Sequence, residues 1–251
     1  MNSESTSVLR KVPEITLAFW VIKILATTLG ETGGDALSMT LDLGYAVSSL
    51  VFLAIFAGAV VAQLAATSYN RFLYWSVIIA TTTLGTTLAD FADRSMGIGY
   101  MSGSALLLSL LLLSFFAWRR STGSVAVEAI ASRKAEVFYW VTILFSQTLG
   151  TALGDWVADT NGFGYERGAL VFSAALALVA ALYFIPKVSR TALFWAAFIM
   201  TRPLGATLGD LIDKPIDRGG LEIGRFTASA ALTALMIAAI LLLPQNKRIS
   251  A

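Results

Sequence analysis

Long apolar stretches alternate along this chain with short polar connections. Eight stretches reach the roughly 20 residues that a helix needs to cross the hydrocarbon core of a membrane. They cover residues 13–37, 44–66, 72–92, 98–118, 136–157, 164–186, 191–212 and 222–243. These stretches are continuously apolar and lack the two-residue alternation of a transmembrane barrel. Because backbone groups in lipid must bond within the protein, the pattern predicts an all-α membrane protein with eight spanning helices.

A sequence motif recurs in every second apolar stretch. An aromatic residue and Trp precede a Leu-Gly pair, with Gly ten positions after Trp, and Asp follows five positions after Gly. The four copies are FWVIKILATTLGETGGD (19–35), YWSVIIATTTLGTTLAD (74–90), YWVTILFSQTLGTALGD (139–155) and FWAAFIMTRPLGATLGD (194–210). A fixed internal period identifies the repeating structural unit. The chain therefore contains four units, each predicted to be an odd-numbered helix followed by an even-numbered helix.

The spacing of the units predicts their arrangement. Two spans per unit return the chain to the same side of the membrane, so the units are parallel repeats about an axis along the membrane normal. The Trp-to-Trp steps are 55, 65 and 55 residues, which divides the chain into two pseudo-symmetric halves. We expect tails at 1–12 and 244–251, halves at 13–118 and 136–243, and a linker at 119–135.

Composition supports membrane insertion. Hydrophobic residues make up 57% of the 251 residues and charged residues only 14%, against about 25% charged in soluble domains. Cysteine and histidine are both absent from the sequence, which removes disulfides, haem ligation and thiolate or imidazole metal sites. We expect no covalent cofactor and no nucleic-acid partner. The lipid bilayer is the expected environment. The sequence does not decide whether the chain forms a homo-oligomer.

Basic residues in the connections predict the orientation. Eleven Lys and Arg residues lie on the side of the termini, and five lie on the other side: Arg94, Arg167, Lys214, Arg218 and Arg225. The positive-inside rule then predicts that both termini are cytoplasmic. The Trp residues at the start of the odd helices are expected to form an aromatic belt at the cytoplasmic interface.

Four tandem two-helix units, each with a Trp and a Leu-Gly motif, resemble a bacterial membrane-protein family defined by a repeat of unknown function. The resemblance covers nearly the whole chain. It implies an eight-span architecture in a bacterial inner membrane, and it implies no chemistry. The function must therefore be argued from the residues themselves.

A polar column runs along each odd helix. Positions −7, −3, +1 and +5 relative to the repeat glycine lie on one helix face, because residues four apart stack. In chain order the four columns are Lys23, Thr27, Glu31, Asp35; Ile78, Thr82, Thr86, Asp90; Ile143, Gln147, Thr151, Asp155; and Phe198, Arg202, Ala206, Asp210. An ionised side chain facing lipid costs about 3 kcal/mol or more at the bilayer centre. We therefore expect the columns to face one another across the bundle.

The carboxylates of these columns predict a cation site. Asp35, Asp90, Asp155 and Asp210 recur at one position near the outer end of the odd helices, and Glu31 lies deeper in one unit only. Oxygen ligands suit hard cations such as Mg²⁺, Mn²⁺ or Ca²⁺, so a bound divalent cation is the expected ligand. Thr27, Thr82, Thr86, Gln147 and Thr151 are expected to line the polar path. The alternative is structural, with each aspartate capping the end of its helix.

Two basic residues lie within the same columns. Arg202 is close to mid-bilayer, and Glu31 is its expected partner. Lys23 either faces the bundle interior or extends its ammonium group to the cytoplasmic interface. In a transporter, Arg202 would occupy the carboxylates when the cation is absent and so couple its release to a charge exchange. Pro203 frees the carbonyl of Ile199, which makes the seventh helix the candidate mobile element.

These residues favour a secondary transporter or permease for a hard inorganic cation, with protons as the counter-ion. Two alternatives stay open: a passive cation channel with a ring of aspartates as its filter, and a non-transporting structural or sensory membrane protein. An enzyme is not expected, because no nucleophile and base constellation is visible. No nucleotide-binding GxxxxGK[ST] motif occurs either. Anion transport is disfavoured, since five acids face two bases in the columns.

Overall fold

The computed structural model describes residues 11–130, 132–160 and 164–245. Within these ranges the chain is helical and contains no strand. The eight α-helices are α1 (Leu17–Asp35), α2 (Gly44–Ala65), α3 (Arg71–Asp90), α4 (Tyr100–Thr122), α5 (Arg133–Asp155), α6 (Gly164–Leu182), α7 (Arg190–Asp213) and α8 (Arg225–Leu242). The predicted tails, 1–12 and 244–251, lie almost entirely outside the described residues. The predicted linker is shorter than 119–135, because α4 continues to Thr122 and α5 begins at Arg133.

Local signals set the ends of these helices. The odd helices begin at side-chain caps: Thr16, Asn70, Ser132 and Ser189 each accept a hydrogen bond from a backbone N–H in the first turn. The helices α1, α3 and α5 end at the repeat aspartate and run directly into a five-residue π-helical turn: Ala36–Thr40, Phe91–Ser95 and Trp156–Thr160. A glycine with positive φ then redirects the chain into each even helix: Gly44, Gly99, Gly164 and Gly224.

The four odd helices form a closed inner ring in the order α1, α3, α5, α7. Each repeat glycine lies against the residue at position −3 of the next unit, where an added Cβ would collide with it. Gly30 meets Thr82, Gly85 meets Gln147, Gly150 meets Arg202, and Gly205 meets Thr27. Small residues allow membrane helices to approach closely. Because the contact from the fourth unit back to the first uses the same positions, the ring has approximate four-fold symmetry.

The even helices surround this ring. Each packs mainly on the odd helix of the following unit and not on that of its own: α2 on α3, α4 on α5, α6 on α7, and α8 on α1. Their outward faces expose large apolar side chains, among them Leu50, Leu113, Leu178 and Leu242. The two helices of one sequence repeat are therefore not the two helices that pack together. The two halves are also not separate bodies, since α3 and α4 both pack against α5.

The aromatic residues at the start of the odd helices lie in the core. Trp75, Trp140 and Trp195 are at most 5% exposed, and only Trp20 is half-buried. The prediction of an interfacial belt is therefore wrong for three of the four. The physical reason is the close approach of neighbouring helices: each of these tryptophans packs on the aromatic residue at position −11 of the preceding unit, and Trp195 also packs on α4.

Six of the described helical segments are long and apolar enough to cross a membrane. They contain α2, α3, α4, α5, α6 and α8. The helices α1 and α7 are not in this set, and they carry Lys23, Glu31 and Arg202 in their interiors. Several apolar helices with exposed apolar faces indicate a multi-pass membrane protein.

The close contacts within the ring predict that the repeat glycines do not tolerate a larger side chain. In Gly85→Ala the new methyl group would lie about 3.0 Å from the backbone of Gln147 and Thr148, which cannot move without separating α3 from α5. We expect a loss of roughly 1–3 kcal/mol of stability, measured as a lower melting temperature in detergent. Gly58→Ala on α2 is the control, because nothing lies within 4 Å of its added Cβ. That variant should be neutral or slightly more stable, and an equal loss in both would contradict the close contact.

Candidate functional site

The polar columns of the four odd helices meet along the axis of the ring. Positions −7, −3, +1 and +5 form four successive layers, and every polar residue of the columns is buried. A further layer at position −11 closes one end, which we call the aromatic end: Phe19, Tyr74, Tyr139 and Phe194. There the Tyr74 and Tyr139 hydroxyls hydrogen-bond to each other at 2.7 Å, and the rings of Phe19 and Phe194 lie 6.2 Å apart. The aspartates of position +5 lie at the opposite end, the carboxylate end.

An ion pair lies at the centre of the column. The Arg202 Nη2 atom donates to Glu31 Oε2 at 2.7 Å, as the sequence predicts for this pair. The same nitrogen donates to Thr86 Oγ1 at 2.6 Å and to Thr151 Oγ1 at 2.5 Å. Nη1 donates to the Thr27 carbonyl at 3.3 Å. The guanidinium of the fourth unit therefore reaches residues of all three other units.

Lys23 faces the interior, and its side chain does not extend to an interface. The residue is 0% exposed, and its Nζ atom lies 4.2 Å from the centre of the Phe198 ring. It donates to Gln147 Oε1 and to Thr201 Oγ1, each at 3.4 Å. Within the described residues no carboxylate forms a salt bridge with Lys23. A cation–π contact and two long hydrogen bonds therefore take the place of a counter-charge.

Asp35 and Asp210 share one basic residue at the carboxylate end. The Lys214 ammonium forms an ion pair with Asp35 Oδ2, and lies 3.0 Å from Asp210 Oδ1. Lys214 follows the last residue of α7. Burial by itself lowers the pKa of its ammonium, but the Asp210 and Asp35 carboxylates outweigh burial and raise that pKa well above its usual value. This shift favours the charged form of Lys214 between two repeat aspartates.

Asp90 and Asp155 share a second basic residue. Arg94 Nε lies 2.9 Å from Asp90 Oδ1, and Arg94 Nη2 lies 3.2 Å from Asp155 Oδ2. Asp159 is 3.8 Å from the same Nη2 atom. The predicted ring of four aspartates therefore exists as two pairs, each bridged by one cation. The ionic contacts follow two-fold symmetry although the packing of the ring follows four-fold symmetry.

Three of the predicted cation ligands come within metal-binding distance of one another. One carboxylate oxygen from each of Glu31, Asp35 and Asp210 lies within 4.8 Å of the other two. These three side chains are buried. Among the described residues this is the group that could hold a metal ion, and it does not include Asp90 or Asp155. The carboxylate column of units one and four is therefore the stronger candidate centre.

The predicted polar lining divides into two groups. Thr86 and Thr151 contact the Arg202 guanidinium, and Gln147 contacts Lys23. The other two residues serve the packing of the ring: Thr27 donates to the Thr201 carbonyl at 3.1 Å, and Thr82 lies against Gly30.

The sequence analysis placed Arg94 and Lys214 in the connections and did not include them in the site. The structure places their side chains beside the repeat aspartates. Each lies four residues after an aspartate of its own unit, Asp90 or Asp210. Continuing the same four-residue step to position +9 would have found both. The opposite extension, to position −11, would have found the aromatic layer.

Fold and site together define a class: a multi-pass helical membrane protein with a buried ionic column on the axis of four tandem units. The family model for a Repeat of Unknown Function (DUF347) matches residues 18–69, 73–124, 138–189 and 193–248, which is most of the chain. The chain belongs to this family. No curated protein and no solved structure matches it.

The central ion pair can be tested by a double-mutant cycle. Arg202→Met leaves the Glu31 carboxylate buried without its cation, and we expect it to cost about 3–5 kcal/mol of stability. Glu31→Gln/Arg202→Met should cost less than the sum of the two single variants, because no unpaired charge remains. Chemical denaturation in detergent of the wild type and the three variants measures this coupling. Strictly additive losses would contradict a direct interaction.

Proposed function

We propose that the chain is a secondary transporter of a hard inorganic cation, with divalent ions such as Mn²⁺ or Mg²⁺ favoured and protons as the counter-ion. The supporting observation is the group of Glu31, Asp35 and Asp210, whose carboxylates lie within 4.8 Å of one another in the buried column. Among the described residues, Arg202 and Lys214 form ion pairs with these carboxylates, and Arg225, which is shared with Asp213, lies 3.7 Å from Asp35 Oδ2. Oxygen ligands of this kind are those that hard cations prefer.

The charge count favours a divalent ion. Four carboxylates (Glu31, Asp35, Asp210 and Asp213) and three basic groups (Arg202, Lys214 and Arg225) are linked by ion pairs, which leaves a formal charge of −1. When the Lys214 ammonium moves away, the formal charge of the remaining groups is −2. Lys214 would then occupy the carboxylates between transport events, as a divalent ion occupies them during transport. The buried oxygen Asp35 Oδ1, which accepts no hydrogen bond among the described residues, is available as a ligand.

The proposed topology has eight spans, with both termini cytoplasmic in a bacterial inner membrane. The helices α1 and α7 are spans in this proposal because they belong to the same inner ring as α3 and α5, in the same register. Three of the five basic residues on the opposite side, Arg94, Lys214 and Arg225, form ion pairs with nearby aspartates.

A passive channel is the less favoured transport mechanism. An aspartate ring that filters ions requires open space between its members. Here Arg94 and Lys214 lie between the aspartates, and the aromatic layer fills the axis at the other end. Passage of an ion therefore requires these side chains to move, as in an alternating-access mechanism.

One observation favours a non-transporting structural role as the second candidate. Each of the five column acids already forms an ion pair within the chain. In that case the column holds the helices together, and neutralising it alters folding without any loss of ion flux.

Flux into vesicles tests the proposal. Purified protein reconstituted in liposomes should give saturable Mn²⁺ uptake that depends on an imposed proton gradient. Asp35→Asn/Asp210→Asn should reduce this uptake by about tenfold or more, since a lost ligand costs a factor of this order. The control is Asp217→Asn, an exposed carboxylate on the same side.

The outcomes separate the candidates. Uptake equal to that of empty liposomes for Mn²⁺, Mg²⁺ and Ca²⁺ would rule out the proposed transport and support the structural role. Fast uptake that does not saturate or respond to the proton gradient would replace the transporter with a channel. Equal loss in the Asp217→Asn control would show that the effect does not belong to the column.

A further inference from the structure

The position of Arg202 Nη2 has the environment of a cation site. Three side-chain oxygens surround this single nitrogen atom: Glu31 Oε2 at 2.7 Å, Thr86 Oγ1 at 2.6 Å and Thr151 Oγ1 at 2.5 Å. All three residues occupy position +1 of their units, so the ring symmetry directs them at the same point. We call these three residues the inner cage. The fourth unit has Ala206 at this position and contributes Arg202 from one layer away.

Two of the three inner-cage residues, Glu31 and Thr86, are held by contacts within the ring that do not involve Arg202. The stem of Glu31 lies against Gly209, and Thr86 lies against Gly34, each at position +4 of the neighbouring unit. An added Cβ at Gly34 would be 3.0 Å from the Thr86 Cβ atom. The Thr86 hydroxyl also lies 3.3 Å from Glu31 Oε2 and 3.2 Å from the Gly30 carbonyl. These contacts keep the Glu31 and Thr86 oxygens close together when the guanidinium leaves.

The charge of the cage points to a monovalent ion, and its size argues against Mg²⁺. One carboxylate and two hydroxyls supply a single negative charge. The distances of 2.5–2.7 Å to the central atom are longer than the roughly 2.0–2.1 Å that Mg²⁺ requires. We propose that the inner cage binds one monovalent cation, Na⁺, K⁺, ammonium or a proton as hydronium, at the place that Arg202 occupies in this structure.

The inner cage gives the proposed transporter a means of coupling, and this part rests on the proposed function. Glu31 belongs both to the cage and to the group with Asp35 and Asp210. A divalent ion at that group and a monovalent ion in the cage therefore compete for one carboxylate. Binding of either ion favours release of the other, which is the requirement for exchange.

A variant that empties the cage tests the inference. In Arg202→Ala, one of NaCl, KCl or NH₄Cl should raise the melting temperature in detergent by about 5 °C near saturation, with choline chloride keeping the ionic strength constant. MgCl₂ should give no comparable shift. A shift that follows pH and none of the salts would assign the ion as a proton. Adding Thr86→Val should abolish most of the shift, whereas Thr83→Val should leave it. Thr83 is a suitable control because it is a buried threonine of α3 whose hydroxyl donates to the Ile79 carbonyl of its own helix.

A second measurement covers the case in which Arg202→Ala does not fold. In otherwise wild-type protein, Thr86→Val should weaken the apparent affinity for the monovalent ion that drives Mn²⁺ flux by about tenfold, and Thr83→Val should not. Guanidinium chloride is a further probe of Arg202→Ala. Stabilisation by guanidinium alone would show a cage built only for Arg202 and would overturn the inference.

Failure of this inference is distinguishable from failure of the proposed function. Mn²⁺ flux in the wild type, together with an Arg202→Ala variant that responds equally to MgCl₂ or to no salt, would overturn the inner cage and leave the transporter. A monovalent shift in Arg202→Ala without divalent flux in the wild type would support the cage and rule out divalent transport.

Discussion

The structure depends on one contact made four times. A glycine of each odd helix lies against the residue three positions before the corresponding glycine of the next unit, and the fourth contact returns to Thr27 of the first. In lipid there is little hydrophobic gain from bringing helices together, so association relies on close packing and polar contacts. Because this contact has no side chain on one partner, the inner helices approach closely enough for their polar faces to meet on one axis.

The closed ring explains how so many charges are tolerated in an apolar chain. A charged side chain is expensive in the membrane unless a partner lies beside it. Every column acid has such a partner on the axis, and the partner always belongs to a limited set of units: Arg94 from the second, and Arg202 and Lys214 from the fourth. In this network two of the four units supply the basic partners, so the units differ in side chain while they stay alike in backbone.

The two ends of the axis also differ in chemistry. Aromatic rings and the Tyr74–Tyr139 hydrogen bond fill one end, and carboxylates with their bases fill the other. Lys23 and the Arg202–Glu31 pair lie between the two ends. The Lys23 ammonium contacts the Phe198 ring, one amide oxygen and one hydroxyl oxygen. Movement of an ion along this axis would meet a basic side chain at each carboxylate before it met the aromatic layer. In the proposed transporter, the same chain would supply both the ligands and the basic groups that compete with the ion for them.

The sequence by itself determined the four units, the helical class and the inward face of the odd helices, because hydrophobic periodicity and the four-residue step are local properties. It also indicated the ion pair of Arg202 and Glu31, since a charged group within a membrane is costly unless an opposite charge lies beside it. Only the tertiary structure decided that the ring closes, that each even helix packs on the next unit, and that Arg94 and Lys214 divide the aspartates into pairs. Those facts depend on which helices are neighbours, and no short-range pattern in a chain of parallel repeats specifies its neighbours. For the same reason three of the four repeat tryptophans, which the sequence alone assigned to the membrane interface, are buried between helices.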